Sequence, residues 1–117
     1  MSKVLLVYGG WEGHRPKETS ELFAELLRER RFEVELSGEL ERFADSAGLA
    51  AFDLVIPNWT MGELTGEQEA GLSEAVAGGV GLGGWHGGAG DAFRGSPAFQ
   101  MMVGGQFVGH PGDIKAF

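Results

Sequence analysis

The sequence predicts an α/β protein in which a mostly parallel central sheet lies between two layers of helices. Two observations lead to this prediction. Short aliphatic runs alternate along the chain with segments of helical periodicity, as in parallel βαβ units. Several of these runs are continuously apolar, which is typical of strands covered on both faces. With 117 residues, the chain has room for a single domain, residues 1–117.

The first half of the chain contains two predicted strands joined by a helix. Residues 3–8 (KVLLVY) form a continuous apolar run and predict a buried strand. Pro16 suits the first position of a helix, and an apolar face at helical spacing continues to residue 31. Residues 32–37 alternate apolar and charged side chains, which predicts a strand nearer the edge of the sheet.

The second half continues the alternation. Residues 39–51 are ambiguous and could include a short helix, whereas residues 53–58 (DLVIPN) predict a buried strand that ends at Pro57. Thr65 and Gln68 have the spacing of a capping box, which predicts a helix ending before the glycines at 78 and 79. Residues 79–84 then predict a glycine-rich fourth strand.

Two weaker elements complete the prediction. Ser96 and Pro97 can start a short helix that runs to about residue 102, and residues 106–108 could form a short strand. The order of elements is β-α-β-(α)-β-α-β, and right-handed crossovers turn it into a parallel sheet with helices on both faces. We therefore predict a short version of the flavodoxin-like three-layer sandwich.

Composition excludes several classes of function. The net charge of −8, from 9 basic and 17 acidic residues, argues against a surface that binds nucleic acid. The absence of cysteine excludes disulfides, thiolate metal sites and a cysteine nucleophile. The apolar run at the N-terminus is too short for a signal peptide or a membrane span, so we expect a cytoplasmic protein with no membrane partner.

Three histidines follow predicted strands or lie in glycine-rich turns. His14 closes the segment YGGWEGH, His86 lies in GGWHGGAGD, and His110 lies in FVGHPG. Ligands of such sheets bind beyond the carboxyl ends of the strands, where these loops meet. A glycine-bracketed turn can project His86 as a proton shuttle, with Asp91 as its orienting or second carboxylate. The alternative is that the glycines only permit tight turns and close packing.

The three imidazoles also raise the hypothesis of a metal site. His14, His86 and His110 could bind Zn²⁺ and leave a fourth position for water. Their spacing in the sequence matches no metal-binding motif, and we expect no cofactor unless this zinc site exists.

The segments GGWEGHRPKE, GGWHGGAGDAF and GGQFVGHPG occur in this order, and together they resemble the trehalose-utilisation (ThuA-like) family. The resemblance implies the class I glutamine amidotransferase-like fold and a link to sugar metabolism. It does not imply glutaminase chemistry, because the family lacks the amidotransferase cysteine and this chain has Trp85-His86-Gly87 in that region. Members are usually about twice as long, so we expect a short member whose open sheet edge pairs in a homodimer.

The first functional hypothesis is a protein that acts on or binds a small sugar or sugar derivative. Its predicted catalytic residues are His86, His14 and Asp91. The residues predicted to contact the substrate are Trp11, Glu12, Asn58, Trp85, Gly87 and His110, with the two tryptophans as apolar faces for a pyranose ring. The alternatives are a non-catalytic module that binds a small ligand or a partner enzyme, and a metal-dependent hydrolase.

Overall fold

A computed structural model describes all residues from 1 to 117 and contains one sheet of four parallel strands. The strands are β1 (Lys3–Gly10), β2 (Glu33–Ser37), β3 (Leu54–Thr60) and β4 (Gly81–Leu82). Their order across the sheet is β2-β1-β3-β4, and every pair of neighbours is parallel. The predicted fold class is confirmed as a short flavodoxin-like α/β fold.

Helices connect the strands and cover the sheet. The four α-helices are α1 (Pro16–Glu29), α2 (Ser46–Leu49), α3 (Gly66–Ala77) and α4 (Pro97–Val103). Single turns of 3₁₀-helix precede α1 and α2, at Glu12–His14 and Leu40–Ala44. The ambiguous segment 39–51 therefore holds a 3₁₀ turn and one short helix. None of the helices is long and apolar enough to cross a membrane.

Strand β1 supplies the centre of both hydrophobic layers. Val4 and Leu6 point to one face, where they pack with residues from β3 and the last turns of α1. Leu5 and Val7 point to the other face and pack against the layer that contains α3. All four side chains are fully buried. This period of two explains why the sequence of β1 is apolar throughout: each face of the strand is covered by helices.

The predicted helix boundaries are largely confirmed. Pro16 is the first residue of α1. Thr65 accepts a hydrogen bond from the Gln68 backbone N–H, while the Gln68 side chain accepts one from the Thr65 N–H, so the capping box is complete. Ser96 caps α4 in the same way, through the Phe99 N–H. These local signals are reliable because the first turn of a helix has donors with no partner inside the helix.

Two sequence predictions about strands are wrong. Pro57 does not end β3, which continues to Thr60 and pairs with β1 along its whole length. The proline is tolerated because its nitrogen faces the β4 side of the sheet, where β4 has already ended at Leu82. Residues 106–108 form no strand; instead this segment is irregular, and the Phe107 N–H donates to the Gly90 carbonyl.

Candidate functional site

The ends of β1 and β3 meet at the carboxyl edge of the sheet, as predicted. Gly10 ends β1 with a φ of +81°, and a side chain there would collide with the Thr60 backbone. Only glycine fits this close approach, which lets the Trp11 N–H donate to the Thr60 carbonyl at 3.3 Å. The chain then turns into the 3₁₀ turn that carries His14. The glycine-rich start of this loop therefore brings His14 over the end of β3.

Five rings form a continuous row along this edge, which we call the ring row: Trp11, His14, His86, Phe107 and His110. The ring centroid of His14 lies 4.9 Å from that of Trp11 and 6.3 Å from that of His86. The Phe107 ring continues the row, 5.3 Å from His86 and 4.8 Å from His110. The structure therefore brings the three predicted histidines to one surface, with a phenylalanine ring in contact with two of them.

The His14 ring is fixed by a hydrogen-bonded pair of groups beneath it. Its Nδ1 lies 2.8 Å from Oγ1 of Thr60, which in turn donates to the Gly87 carbonyl at 2.6 Å. The Thr60 side chain is buried, whereas His14 is half-buried. Gly87, which is predicted to contact a substrate, thus contributes its carbonyl to this chain of hydrogen bonds. Its Cα also packs against the His14 ring.

Asp91 does not contact His86 and instead pairs with Arg94. Oδ1 of Asp91 accepts from Arg94 Nε at 2.7 Å and lies 2.6 Å from Nη2. The Asp91 residue is only 4% exposed, and the guanidinium that neutralises it lies over the Phe107 ring at 5.3 Å. The structure therefore does not place the Asp91 carboxylate beside His86, and the catalytic role of Asp91 stays a prediction. Its carboxylate positions Arg94, which supports the Phe107 part of the ring row.

Asn58 lies beneath the site and does not face it. The residue is 2% exposed, and its Nδ2 donates to the Pro16 carbonyl and to the hydroxyls of Thr19 and Ser20 in α1. The structure therefore does not bring Asn58 to the surface of the ring row, and its role as a ligand contact stays a prediction. Successive side chains of β3 point to opposite faces, and Asn58 points to the α1 face. The amide ties the first turn of α1 to the end of β3.

Trp85 is also directed away from the ring row. Its indole stacks on the Phe23 ring of α1, with centroids 4.2 Å apart and an angle of 22° between the planes. Phe23 therefore covers one face of this indole, and the role of Trp85 as a platform for a pyranose ring stays a prediction. Trp11, by contrast, is 54% exposed; its indole packs against Gly13 and makes an edge contact with the His14 ring.

The remaining predicted residues are exposed at the same edge. Glu12 lies in the 3₁₀ turn beside Trp11, and His86 and His110 are both exposed to solvent. No group of three or more histidine, aspartate or glutamate side chains lies close enough to hold a metal ion. His14, His86 and His110 consequently do not fit a three-ligand zinc site in this arrangement, because they follow one another along a row.

A cavity of about 370 Å³ adjoins His86. Gly83, Gly84 and Trp85 line it from the turn after β4, and Met102 and Val103 line it from α4. Its volume lies in the range of small-molecule sites. A larger cavity of about 600 Å³ lies at the opposite edge of the sheet, beside Asp53 and Val80, where strands begin. Ligands of parallel sheets bind at the carboxyl edge, so the cavity beside His86 is the candidate ligand site.

Three residues of the site were missed or understated by the sequence. Phe107 lies within the third glycine-rich motif, three residues before His110, and no pattern in the sequence marks its ring as part of a site. Arg94 follows Asp91 by three residues, a spacing that could have suggested an ion pair. Thr60 ends β3, and its two hydrogen-bond partners come from loops 46 and 27 residues away in the sequence.

The glycine-rich motifs and the parallel fold agree with one comparison with known proteins. The family model described as "ThuA: Trehalose utilisation" matches residues 3–116. The chain belongs to the ThuA family. The match includes all five residues of the ring row as well as Thr60 and Gly87, and the family is one of trehalose utilisation. No curated protein and no solved structure matches the chain.

Proposed function

We propose that this ThuA-family protein binds a sugar or sugar derivative across the ring row and acts on it with His14 and His86 as acid and base. The observation that carries the proposal is the ring row itself. Trp11 offers an exposed indole face, and Phe107 offers an apolar ring on the far side of the two histidines. Flat apolar faces of this kind pack well against the C–H groups of a pyranose.

The polar groups between the two aromatic residues support the same proposal. The imidazoles of His14 and His86 have ring nitrogens that can donate to or accept from sugar hydroxyls, and histidine is the side chain most often used for proton transfer near neutral pH. Their centroids are 6.3 Å apart, so one hydroxyl-bearing ring could contact both. The negative net charge of the whole chain is compatible with a neutral polyol and unfavourable for a highly anionic ligand.

Trp11→Ala is expected to weaken sugar binding by about 10- to 30-fold, because it removes the exposed indole of the row. The measurement is titration calorimetry with trehalose, other disaccharides and their monosaccharides. Phe117→Ala is the matched control, since Phe117 is fully exposed and makes no ring contact. Equal affinities of the two variants for the best sugar would contradict the role of the ring row.

The same titration distinguishes an enzyme from a binding module. Product analysis by NMR after each titration reports whether the bound sugar is converted. Binding with no conversion of any sugar would favour the alternative, in which the protein holds a small ligand or associates with a partner enzyme. Absence of binding to every sugar would overturn the proposal.

We also propose a homodimer, and we place its contact on α1 instead of the open sheet edge expected from the sequence. The support is a group of exposed apolar side chains on this helix: Leu22, Phe23 and Leu26. Light scattering at micromolar concentration is expected to give twice the chain mass of 12.5 kDa. Leu26→Glu is expected to shift the mass to that of one chain, because it places a charge in the contact. A monomeric mass for the unmodified protein would contradict the dimer.

A further inference from the structure

The hydrogen bonds beneath His14 determine which of its nitrogens carries the proton. A threonine hydroxyl has one hydrogen to donate, and a backbone carbonyl can only accept. Because Thr60 Oγ1 lies 2.6 Å from the Gly87 oxygen, its single hydrogen must point there. The Thr60 oxygen can then only accept from His14 Nδ1, 2.8 Å away. In the neutral ring, Nδ1 therefore carries the hydrogen and Nε2 carries the lone pair.

The second nitrogen of the ring is open to solvent. No group of the chain forms a hydrogen bond with His14 Nε2, because the ring is hydrogen-bonded only to Thr60, through Nδ1. Every fully buried side-chain nitrogen and oxygen in the protein has a partner. Nε2 is therefore accessible, and it belongs to the histidine that lies between Trp11 and His86 in the ring row.

We propose that Thr60 is a positioning residue that holds His14 in the Nδ1–H tautomer, so that Nε2 is the proton acceptor of the site. A sugar hydroxyl would donate its hydrogen to this lone pair, and this second step rests on the proposed function. The Gly87 carbonyl contributes to this effect, because it accepts the Thr60 hydrogen and leaves the Thr60 oxygen free to accept from His14 Nδ1. The tautomer itself requires no ligand and can be tested separately.

The arrangement reverses the preference of a free side chain. An isolated neutral histidine in water favours the tautomer with its hydrogen on Nε2, which would leave no acceptor at the exposed position. Thr60 is buried, so its hydrogen bonds are shielded from water and are not readily replaced by bonds to solvent. Burial therefore strengthens the effect of Thr60 on the tautomer of His14. A single buried hydroxyl thus decides whether the exposed nitrogen accepts or donates.

The test is long-range ¹H–¹⁵N NMR of ¹⁵N-histidine-labelled protein at about pH 9, where histidine is neutral. His14→Asn identifies the His14 signals by their loss. In the unmodified protein, we expect the protonated type of resonance for Nδ1 and the unprotonated type for Nε2. Thr60→Val, which has nearly the same shape without the hydroxyl, is expected to shift the signals towards the opposite tautomer. Thr60→Ser is expected to restore the original pattern.

The outcomes separate this inference from the proposed function. An Nε2–H tautomer in the unmodified protein, or an unchanged tautomer in Thr60→Val, would overturn the role of Thr60. With the role intact, Thr60→Val is also expected to weaken sugar binding by up to about tenfold, the effect of one hydrogen bond, and Thr60→Ser to rescue it. If the tautomer responds as expected but no sugar binds, the positioning role of Thr60 is supported and the proposal of sugar binding fails.

Discussion

Replacement of Phe93 by alanine is expected to lower the free energy of unfolding by about 3–5 kcal/mol, the usual cost of removing a buried phenylalanine ring. Phe93 is fully buried, and its ring packs edge-on against two others, Phe43 at 6.2 Å and Phe99 at 5.0 Å between centroids. Truncation leaves a cavity at the centre of the layer that includes α3. The measurement is urea unfolding followed by circular dichroism.

Two further variants serve as controls for Phe93→Ala. Phe93→Leu retains most of the apolar volume and is expected to cost clearly less than alanine. Phe117→Ala removes an exposed ring and is expected to change stability by less than about 0.5 kcal/mol. Equal unfolding midpoints for Phe93→Ala and Phe117→Ala would contradict the central position of Phe93 in the core.

Asn58→Leu is expected to destabilise the protein by about 1–3 kcal/mol, although leucine has nearly the shape of asparagine. The change removes the Nδ2 donor that serves the Pro16 carbonyl and the hydroxyls of Thr19 and Ser20. Because this amide fastens the start of α1, we also expect the backbone signals of the turn at Glu12–His14 to shift in NMR spectra.

Ser20→Ala provides the matched control for Asn58. The amide has two hydrogens for its three recorded acceptors, so loss of the Ser20 hydroxyl still leaves a partner for each hydrogen. We expect Ser20→Ala to cost less than about 1 kcal/mol. A cost for Ser20→Ala as large as that for Asn58→Leu would indicate that the hydroxyl, and not the amide, holds α1 in place.

The sequence predicted those features of the fold that depend on local interactions. The apolar run of β1 reports burial on both faces, and the Thr65–Gln68 pair reports the start of α3, since each depends on a few adjacent residues. The continuation of β3 past Pro57 was not predictable in this way. Whether a proline is tolerated depends on the neighbour that its nitrogen faces, and β4 had to end early for the strand to continue.

The predictions for the candidate site show the same difference between local features and contacts of distant segments. The sequence located the loops, because a residue that follows a parallel strand must lie at the carboxyl edge of the sheet, and it selected Trp11, His14, His86 and His110 there. It did not predict the contacts of Asp91 and Trp85, which lie in the same loop as His86 and contact Arg94 and Phe23. Side-chain partners depend on the direction in which each side chain leaves the backbone and on the element packed opposite.

By itself, therefore, the sequence determined the order of elements, the edge at which the candidate site lies and the ThuA family to which the chain belongs. Only the tertiary structure decided that the three histidines form a row with Phe107, and that Thr60 and Gly87 lie beneath His14. The physical reason is that a hydrogen-bond chain joining β3 to two separate loops is a contact between distant segments. Local propensity and spacing do not predict such a contact, because it forms only when the sheet brings the strand ends together.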